Sequence, residues 1–183
     1  MLIQTEQTPN PATLKFVPGV AVMNQGTADF STREDATRSP LASRIYDVDG
    51  VSGVFFGGDF ITVTKTDNIN WAQVKPDILG AIMEHFTSGQ PLINADTSTS
   101  GHVKPDDEDE LVTQIKELLD TRVRPAVAQD GGDILFHSFE DGIVYLHMQG
   151  ACSGCPSSTA TLKGGIENML QYYIPEVTEV RPI

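Results

Sequence analysis

The sequence is poor in cysteine, in basic residues and in long apolar runs. Its 183 residues contain two cysteines, one tryptophan and 12 Lys and Arg side chains against 25 Asp and Glu. No run approaches the ~18 apolar residues that a membrane span requires. The formal net charge of −13 opposes a nucleic-acid role, because phosphate binding depends on clustered Lys and Arg. We therefore expect a soluble globular protein whose partners are proteins with basic faces, not nucleic acid or a membrane.

The first residues of the chain lack a targeting signal. The stretch MLIQTEQTPNPATLKF has no basic n-region, no apolar h-region and no Arg/Ser-rich amphipathic character, which are the marks of secretory signals and transit peptides. We expect a cytoplasmic bacterial protein, or a mitochondrial matrix protein if the chain is a trimmed mature form. In a reducing compartment, a lone cysteine pair is more often catalytic, redox-active or metal-binding than a structural disulfide.

A polar segment divides the chain. Residues 89–110, GQPLINADTSTSGHVKPDDEDE, contain almost no large apolar side chain after Ile93. This composition, rich in Ser, Thr, Asp, Gly and Pro, is typical of a linker. The sequence therefore predicts an α+β protein of two small α/β-layered domains, 1–90 and 107–183, joined by a flexible linker at 91–106.

The first domain is predicted to combine a small sheet with two helices. Residues 13–17 and 59–66 alternate apolar and polar side chains, as half-buried strands do, and GVSGVFFGG predicts a hairpin partner for the second of them. Residues 39–50 predict a short helix that ends near Gly50. A longer helix is expected to become regular at Pro76, because proline suits a first turn. Its apolar stripe consists of Trp71, Val74, Ile78, Leu79, Ile82, Met83 and Phe86.

The second domain is predicted to have the order α-β-β-α-β. Asp107, with Glu110 three residues later, resembles a capping box that starts a helix. Gly131 or Gly132 in QDGGD is expected to end that helix in the left-handed conformation. DILFHSF and IVYLHMQ flank EDG, which is a strong hairpin signal. Pro156 suits the first position of the next helix, and EVTEV predicts a last strand.

The two cysteines, Cys152 and Cys155, form one C-x-x-C pair within GACSGCPSS. The pair lies between a predicted strand and a predicted helix, which places both sulfurs on one side. Cys155 directly precedes Pro156 and so lies at a helix N-terminus, where unpaired N–H groups and the helix dipole favour the thiolate. Thiolates both attack disulfides and bind metals, so this feature leaves both roles open.

Three chemistries remain open for this pair. A thiol–disulfide oxidoreductase of the thioredoxin type has a larger βαβ arrangement, which a domain beginning with a helix and an antiparallel hairpin does not match. Zinc and iron–sulfur clusters generally take four ligands, whereas one chain offers two thiols and two chains would offer four. His137 and His147 on the hairpin could complete a zinc site within one chain, although both are interpreted as ordinary strand residues.

Ordered motifs in both halves of the chain resemble one family. RPAVAQDGGDI, GACSGCPSST, TLKGGIENML and PEVTEV resemble the C-terminal domain of the NifU/Nfu iron–sulfur cluster scaffolds and carriers. IQTEQTPNPATLKFVPG, GTADF, SPLASRI, GVFFGGDFITVTK and WAQVKPDI resemble the N-terminal domain that accompanies it. The resemblance covers nearly the whole chain apart from the linker.

The resemblance implies a role for the cysteines. Cys152 and Cys155 of two protomers would jointly hold a [4Fe–4S] cluster, with [2Fe–2S] as the alternative. It further implies a homodimer on cluster binding, an upstream assembly scaffold as donor and apo iron–sulfur proteins as recipients. The chain is not expected to be an enzyme. The alternative functions are a thiol–disulfide oxidoreductase and a zinc-bridged interaction module.

Two glycines and two aspartates near the pair need separate interpretation. Gly164 and Gly165 fall inside the predicted last helix, where each costs ~1 kcal/mol against Ala. Close packing of that helix on the hairpin is the expected compensation, and a direct approach to the cluster or a partner subunit is the alternative. Asp130 and Asp133 are interpreted as parts of a helix-to-strand turn and not as ligands.

Overall fold

A computed structural model describes residues 1–94, 110–153 and 156–183, with the backbone alone for 156–159. The chain divides into two compact units, Met1–Thr99 and Ser100–Ile183, each with its own apolar core. The predicted α+β fold in two small domains is confirmed, while the exact boundaries at 90 and 107 stay predictions. Within the described ranges, no helix is long and apolar enough to cross a membrane.

The described part of the N-terminal unit is built on an antiparallel sheet in the order β1-β2-β5-β4-β3. The predicted hairpin is confirmed, with Val54 opposite Val63 and Phe56 opposite Ile61. One edge strand, β3, was not predicted. The strands are β1 Gln4–Gln7, β2 Thr13–Val17, β3 Ala28–Phe30, β4 Val51–Phe56 and β5 Ile61–Lys65.

Three helices accompany this sheet in the described residues: α1 Arg33–Ala36, α2 Pro40–Tyr46 and α3 Trp71–Ser88. The Ser39 side chain accepts a hydrogen bond from the Ala42 N–H and so caps α2. α2 ends four residues before Gly50, earlier than predicted. α2 and α3 bury apolar faces in a core that includes Phe16, Phe56, Ile45, Ile78 and Ile82.

α3 begins earlier than the sequence predicted. Pro76 was expected to mark the start of the regular helix, but α3 starts at Trp71 and contains Pro76 in its interior. The reason is a capping box at Asn70, whose side chain accepts from the Ala72 N–H at 3.1 Å while its own N–H donates to the Gln73 side chain at 3.4 Å. The cap starts the helix at Trp71. The helix tolerates the loss of the one backbone hydrogen bond that Pro76 cannot donate.

The C-terminal unit starts with a helical segment interrupted by a π-helical turn. α4 spans Glu110–Leu118, the π-helical turn Leu119–Val123 and α5 Arg124–Gln129. Pro125 accounts for the wider turn, because its ring has no N–H and clashes with the carbonyl of the preceding helical turn. The segment ends as predicted, with Gly131 at a φ of 82°. The predicted capping residue Asp107 lies outside the described residues.

The sheet of this unit has the order β6-β7-β8. β6 Gly132–Glu140 and β7 Ile143–Gly150 form the predicted hairpin, and Asp141 and Gly142 take positive φ angles of 51° and 78° in its turn. α6 Pro156–Tyr173 leads to β8 Glu179–Pro182, which pairs with β7 in parallel. The predicted α-β-β-α-β order is therefore confirmed.

The parallel pairing of β7 and β8 corrects one argument from the sequence. The redox interpretation was disfavoured because a domain that begins with a helix and an antiparallel hairpin does not match the larger βαβ arrangement of a thioredoxin, but β7, α6 and β8 do form one βαβ unit. The strand-to-helix turn of that unit carries the cysteine motif. Topology alone therefore does not separate redox chemistry from metal binding.

Candidate functional site

Cys152 lies between a strand and a helix, as the sequence predicted. β7 ends at Gly150, whose φ of 65° turns the chain. The Ser153 N–H donates to the carbonyl oxygen of Gly150 at 3.1 Å and so closes a tight turn around Cys152. Cys155 lies outside the described residues, and its role stays a prediction. α6 begins at Pro156, directly after it.

The Cys152 side chain is only 5% exposed and lies against the start of β6. A Cβ added to Gly132 would come within 2.5 Å of the Cys152 Sγ and 2.9 Å of the Gln149 carbonyl oxygen. Only glycine leaves room for the sulfur at this position. The Ala151 N–H also donates to the Gly131 carbonyl oxygen at 3.1 Å. The QDGGD turn is therefore in direct contact with the cysteine loop.

An ion pair holds the start of β6 next to this contact. The Arg124 Nε and Nη2 donate to the two carboxylate oxygens of Asp133 at 2.8 and 2.9 Å, and the Asp133 side chain is 4% exposed. The Ile134 N–H donates to the same carboxylate, and Asp120 accepts from the Arg124 Nη1 at 3.1 Å. Hydrogen bonding to Asp133 raises the pKa of Arg124 above its usual range, although burial acts in the opposite direction. Arg124 therefore stays protonated.

Sequence reasoning missed this pair. Asp133 was interpreted as a turn residue, but it lies in β6 and is buried. A buried carboxylate requires a cation or several hydrogen bonds. For an aspartate at the start of a predicted strand, that requirement was the signal that could have indicated a paired residue. It identifies no partner, because Arg124 becomes adjacent only after the helical segment has folded back on β6.

The hairpin histidines do not join Cys152 in this structure. His147 is exposed and lies on the opposite face of β7 from Met148, because side chains alternate along a strand. Met148 and Cys152 belong to the same buried cluster. His137 is also exposed and hydrogen-bonds through Nδ1 to Ser138. Among the residues that the structure describes, no three His, Cys, Asp or Glu side chains group into a metal site.

The expected packing of the α6 glycines is wrong. Gly164 and Gly165 do lie inside α6, but a Cβ added at either position would meet nothing within 4 Å among the residues that the structure describes. Contact with the hairpin therefore does not compensate for their low helix propensity. The alternative, an approach of the cluster or a partner subunit to this face, stays a prediction.

Comparison with known proteins identifies the family. A family described as "Scaffold protein Nfu/NifU N terminal" matches residues 3–89, and one described as "NifU-like domain" matches residues 115–181. A human protein named "NFU1 iron-sulfur cluster scaffold homolog, mitochondrial" is 54% identical over 100% of this chain and 72% of its own length. The chain belongs to the Nfu/NifU scaffold family. The resemblance stated from the motifs is thereby confirmed.

A second relative supports the same membership of the Nfu/NifU family. A protein of Drosophila ananassae with the same printed name is 52% identical over all of this chain and 64% of its own length. The chain thus spans about two thirds of these relatives. The solution structure of a NifU-like protein from Saccharomyces cerevisiae covers 52% of this chain and 86% of its own, at 24% identity and a TM-score of 0.47.

Proposed function

We propose that this Nfu/NifU protein binds an iron–sulfur cluster as cargo between two protomers, with Cys152 and Cys155 of each as ligands. The observation that carries the proposal is the thiol count, because the chain has two cysteines in one motif and a cluster generally takes four thiolates. Soft thiolate sulfur is the donor that suits such clusters. Two protomers supply four thiolates, which suits [4Fe–4S], with [2Fe–2S] as the alternative.

Cluster binding then requires a local rearrangement. Cys152 is 5% exposed, whereas a ligand shared between protomers must reach the surface between them. We propose that residues 150–153 shift away from Gly132 when the cluster binds. A ligand that has a buried alternative position is easier to withdraw, which suits a carrier that releases its cargo.

Delivery follows from the same arrangement. Separation of two protomers exposes the cluster to the thiolates of a recipient, so the recipients are apo iron–sulfur proteins and the donor is an upstream assembly scaffold. The protein acts as a carrier in this proposal and turns over no substrate. The mitochondrial names of the human and Drosophila relatives favour the matrix alternative over the bacterial cytoplasm.

Native mass spectrometry of the protein purified without oxygen tests the shared site. We expect a dimer heavier by four irons and four sulfides, or by two of each for the alternative cluster. Cys152→Ser and Cys155→Ser should each abolish this species, while the adjacent Ser153→Ala should retain it. A metal-free monomer after iron and sulfide are supplied, combined with disulfide reductase activity, would favour the oxidoreductase. Tightly bound zinc that iron and sulfide do not displace would favour the zinc module.

Activation of an apo-enzyme tests delivery separately. The loaded protein is mixed without oxygen with an apo-protein that requires a [4Fe–4S] cluster, and the recovered activity is compared with that from free iron and sulfide. A chelator that removes free iron should suppress the free-ion reaction and leave transfer from the loaded protein unchanged. Equal suppression of both reactions would reject direct delivery.

A further inference from the structure

A groove in the N-terminal unit has no role in the proposed cluster site. It lies between α3 and the end of α2 with the residues that follow α2, and it has a volume of about 860 Å³. It is open to solvent and is large enough to hold side chains of another chain. The apolar part of its lining consists of Val48, Ile69, Val74, Pro76, Gly80 and Ala81.

The lining of this groove is strongly acidic. Arg44 is bound by Glu84 at 2.9 Å, and Asp47 pairs with Arg33 from outside the groove. Within the described residues, exposed Asp49 and Asp77 form no ion pair, so the groove keeps a negative excess. Its charged lining side chains are Asp47, Asp49, Asp77, Glu84 and Arg44.

The wall formed by α3 carries two residues that are unfavourable in a helix interior. Pro76 and Gly80 are four residues apart and therefore lie on the same helix face, and both are exposed. A Cβ at Gly80 would meet nothing within 4 Å, so packing within the described chain does not account for this glycine. The bare backbone at Gly80 permits close approach by a side chain from outside.

We propose that this groove binds a basic, amphipathic segment of a partner protein. Lys or Arg side chains of the segment would pair with Asp49 and Asp77, and an apolar side chain would lie over Gly80. The negative lining disfavours nucleic acid and anionic membrane surfaces. It also disfavours a second copy of this chain, whose net charge is −13.

The groove adds a partner-recognition site to the proposed carrier function. Only the identity of the partner, as a cluster donor or recipient, rests on that proposed function. The binding itself does not require a cluster. Loss of groove binding and loss of cluster binding are therefore separable in one set of variants.

A synthetic peptide is the probe for the test. A Lys/Leu/Ala peptide of about 15 residues, long enough to form a marginal helix, is titrated into the isotope-labelled full chain and followed by NMR. We expect saturable shifts confined to residues around the groove, weakened by added salt. A peptide with Glu in place of Lys should cause none. Shifts spread over all acidic surfaces, without saturation, would overturn the proposal.

Charge-reversed variants make the test specific. Asp49→Lys combined with Asp77→Lys should weaken peptide binding about tenfold, and Gly80→Leu should weaken it by filling the groove. Asp59→Lys with Asp67→Lys changes the net charge equally at exposed positions outside the lining and should have less than about a twofold effect. Equal loss of peptide binding in both pairs of variants would reject the groove as the binding site.

A dimer seated on the groove without peptide would identify a second copy as the occupant and overturn the proposal. Iron and sulfide content should be normal in all variants.

Discussion

The Cys152 sulfur packs against Gly132 so closely that the position has room for a hydrogen atom but not for a methyl group. In Gly132→Ala the added methyl group would overlap both Sγ and the Gln149 carbonyl oxygen, and backbone atoms cannot move aside as a flexible side chain can. We expect a loss of ~1–3 kcal/mol in unfolding free energy, with cluster content retained, because residues 150–153 are proposed to leave Gly132 when the cluster binds. Urea unfolding and iron and sulfide analysis after anaerobic reconstitution measure the two effects.

Gly58→Ala is the matched control for that substitution. A Cβ at Gly58 meets nothing within 4 Å in the described part of the chain, and the residue belongs to the N-terminal unit, whereas both cysteines belong to the C-terminal unit. Its cluster content should equal that of the unmodified protein. A Gly132→Ala protein that folds but no longer takes up a cluster would contradict the proposed shift of residues 150–153 away from Gly132.

The Arg124–Asp133 pair is a second residue-scale dependence. Arg124→Gln leaves a carboxylate that is 4% exposed without its bidentate partner. Breaking a buried pair costs ~3–5 kcal/mol, and we expect ~2–3 here because Arg124 itself is 31% exposed. Arg122→Gln removes only a cation–π contact with Tyr173 and should cost less than ~1 kcal/mol. Similar urea midpoints for the two variants would contradict the assignment.

Tyr46 makes the N-terminal unit sensitive to alkaline pH. Its hydroxyl lies 2.7 Å from the Phe30 carbonyl oxygen, and burial, with smaller effects from nearby carboxylates, raises the pKa of Tyr46 from 10.0 to about 12. A raised pKa in the folded state means that this stability is complete below about pH 10 and is lost as the pH rises towards 12. The free energy of unfolding should therefore fall less steeply over this interval in Tyr46→Phe than in the unmodified protein. Tyr172→Phe, at an 80% exposed position, should not change the slope.

At the scale of elements, the α6 glycines separate stability from assembly. Among the described residues, a methyl group at Gly164 or Gly165 meets nothing within 4 Å outside the backbone of its own helix, so alanine should raise the unfolding free energy of the unloaded protein by ~0.5–1 kcal/mol. Chemical denaturation measures this gain, with cluster content measured in parallel. A stabilised variant that no longer dimerises would assign this face to the protomer interface. A destabilised variant would contradict the open environment.

Most elements could be predicted from the sequence because their signals are local. Alternating side chains identified β2 and β5, and Asp-Gly identified the turn between β6 and β7. The edge strand β3 was missed because Ala28–Phe30 is short. The start of α3 was misplaced because the penalty of Pro76 was weighed without the capping box at Asn70.

The cysteine motif was equally local, but its surroundings were not. Cys152 could be identified by spacing alone, since only two thiols exist in the chain. Its contact with Gly132 and the pairing of Arg124 with Asp133 depend on how the helical segment, β6 and the cysteine loop meet. No sequence periodicity encodes such a contact, so the motif predicts the ligand type and the fold alone supplies its environment.

At the scale of the whole molecule, the two units should fold independently. Every residue of one apolar cluster lies within 3–92, and every residue of the other lies within 111–180. Because each unit buries its own core, residues 1–94 and 110–183 expressed as separate chains should each unfold cooperatively in urea. The fragment 110–183 should retain cluster binding, since it contains both cysteines, and the fragment 1–94 should retain the groove. A fragment that unfolds without a cooperative transition would show that the units depend on each other for stability.

Normal cluster content in 110–183, together with slower delivery to an apo-enzyme than the full chain achieves, would assign partner recognition to the N-terminal unit.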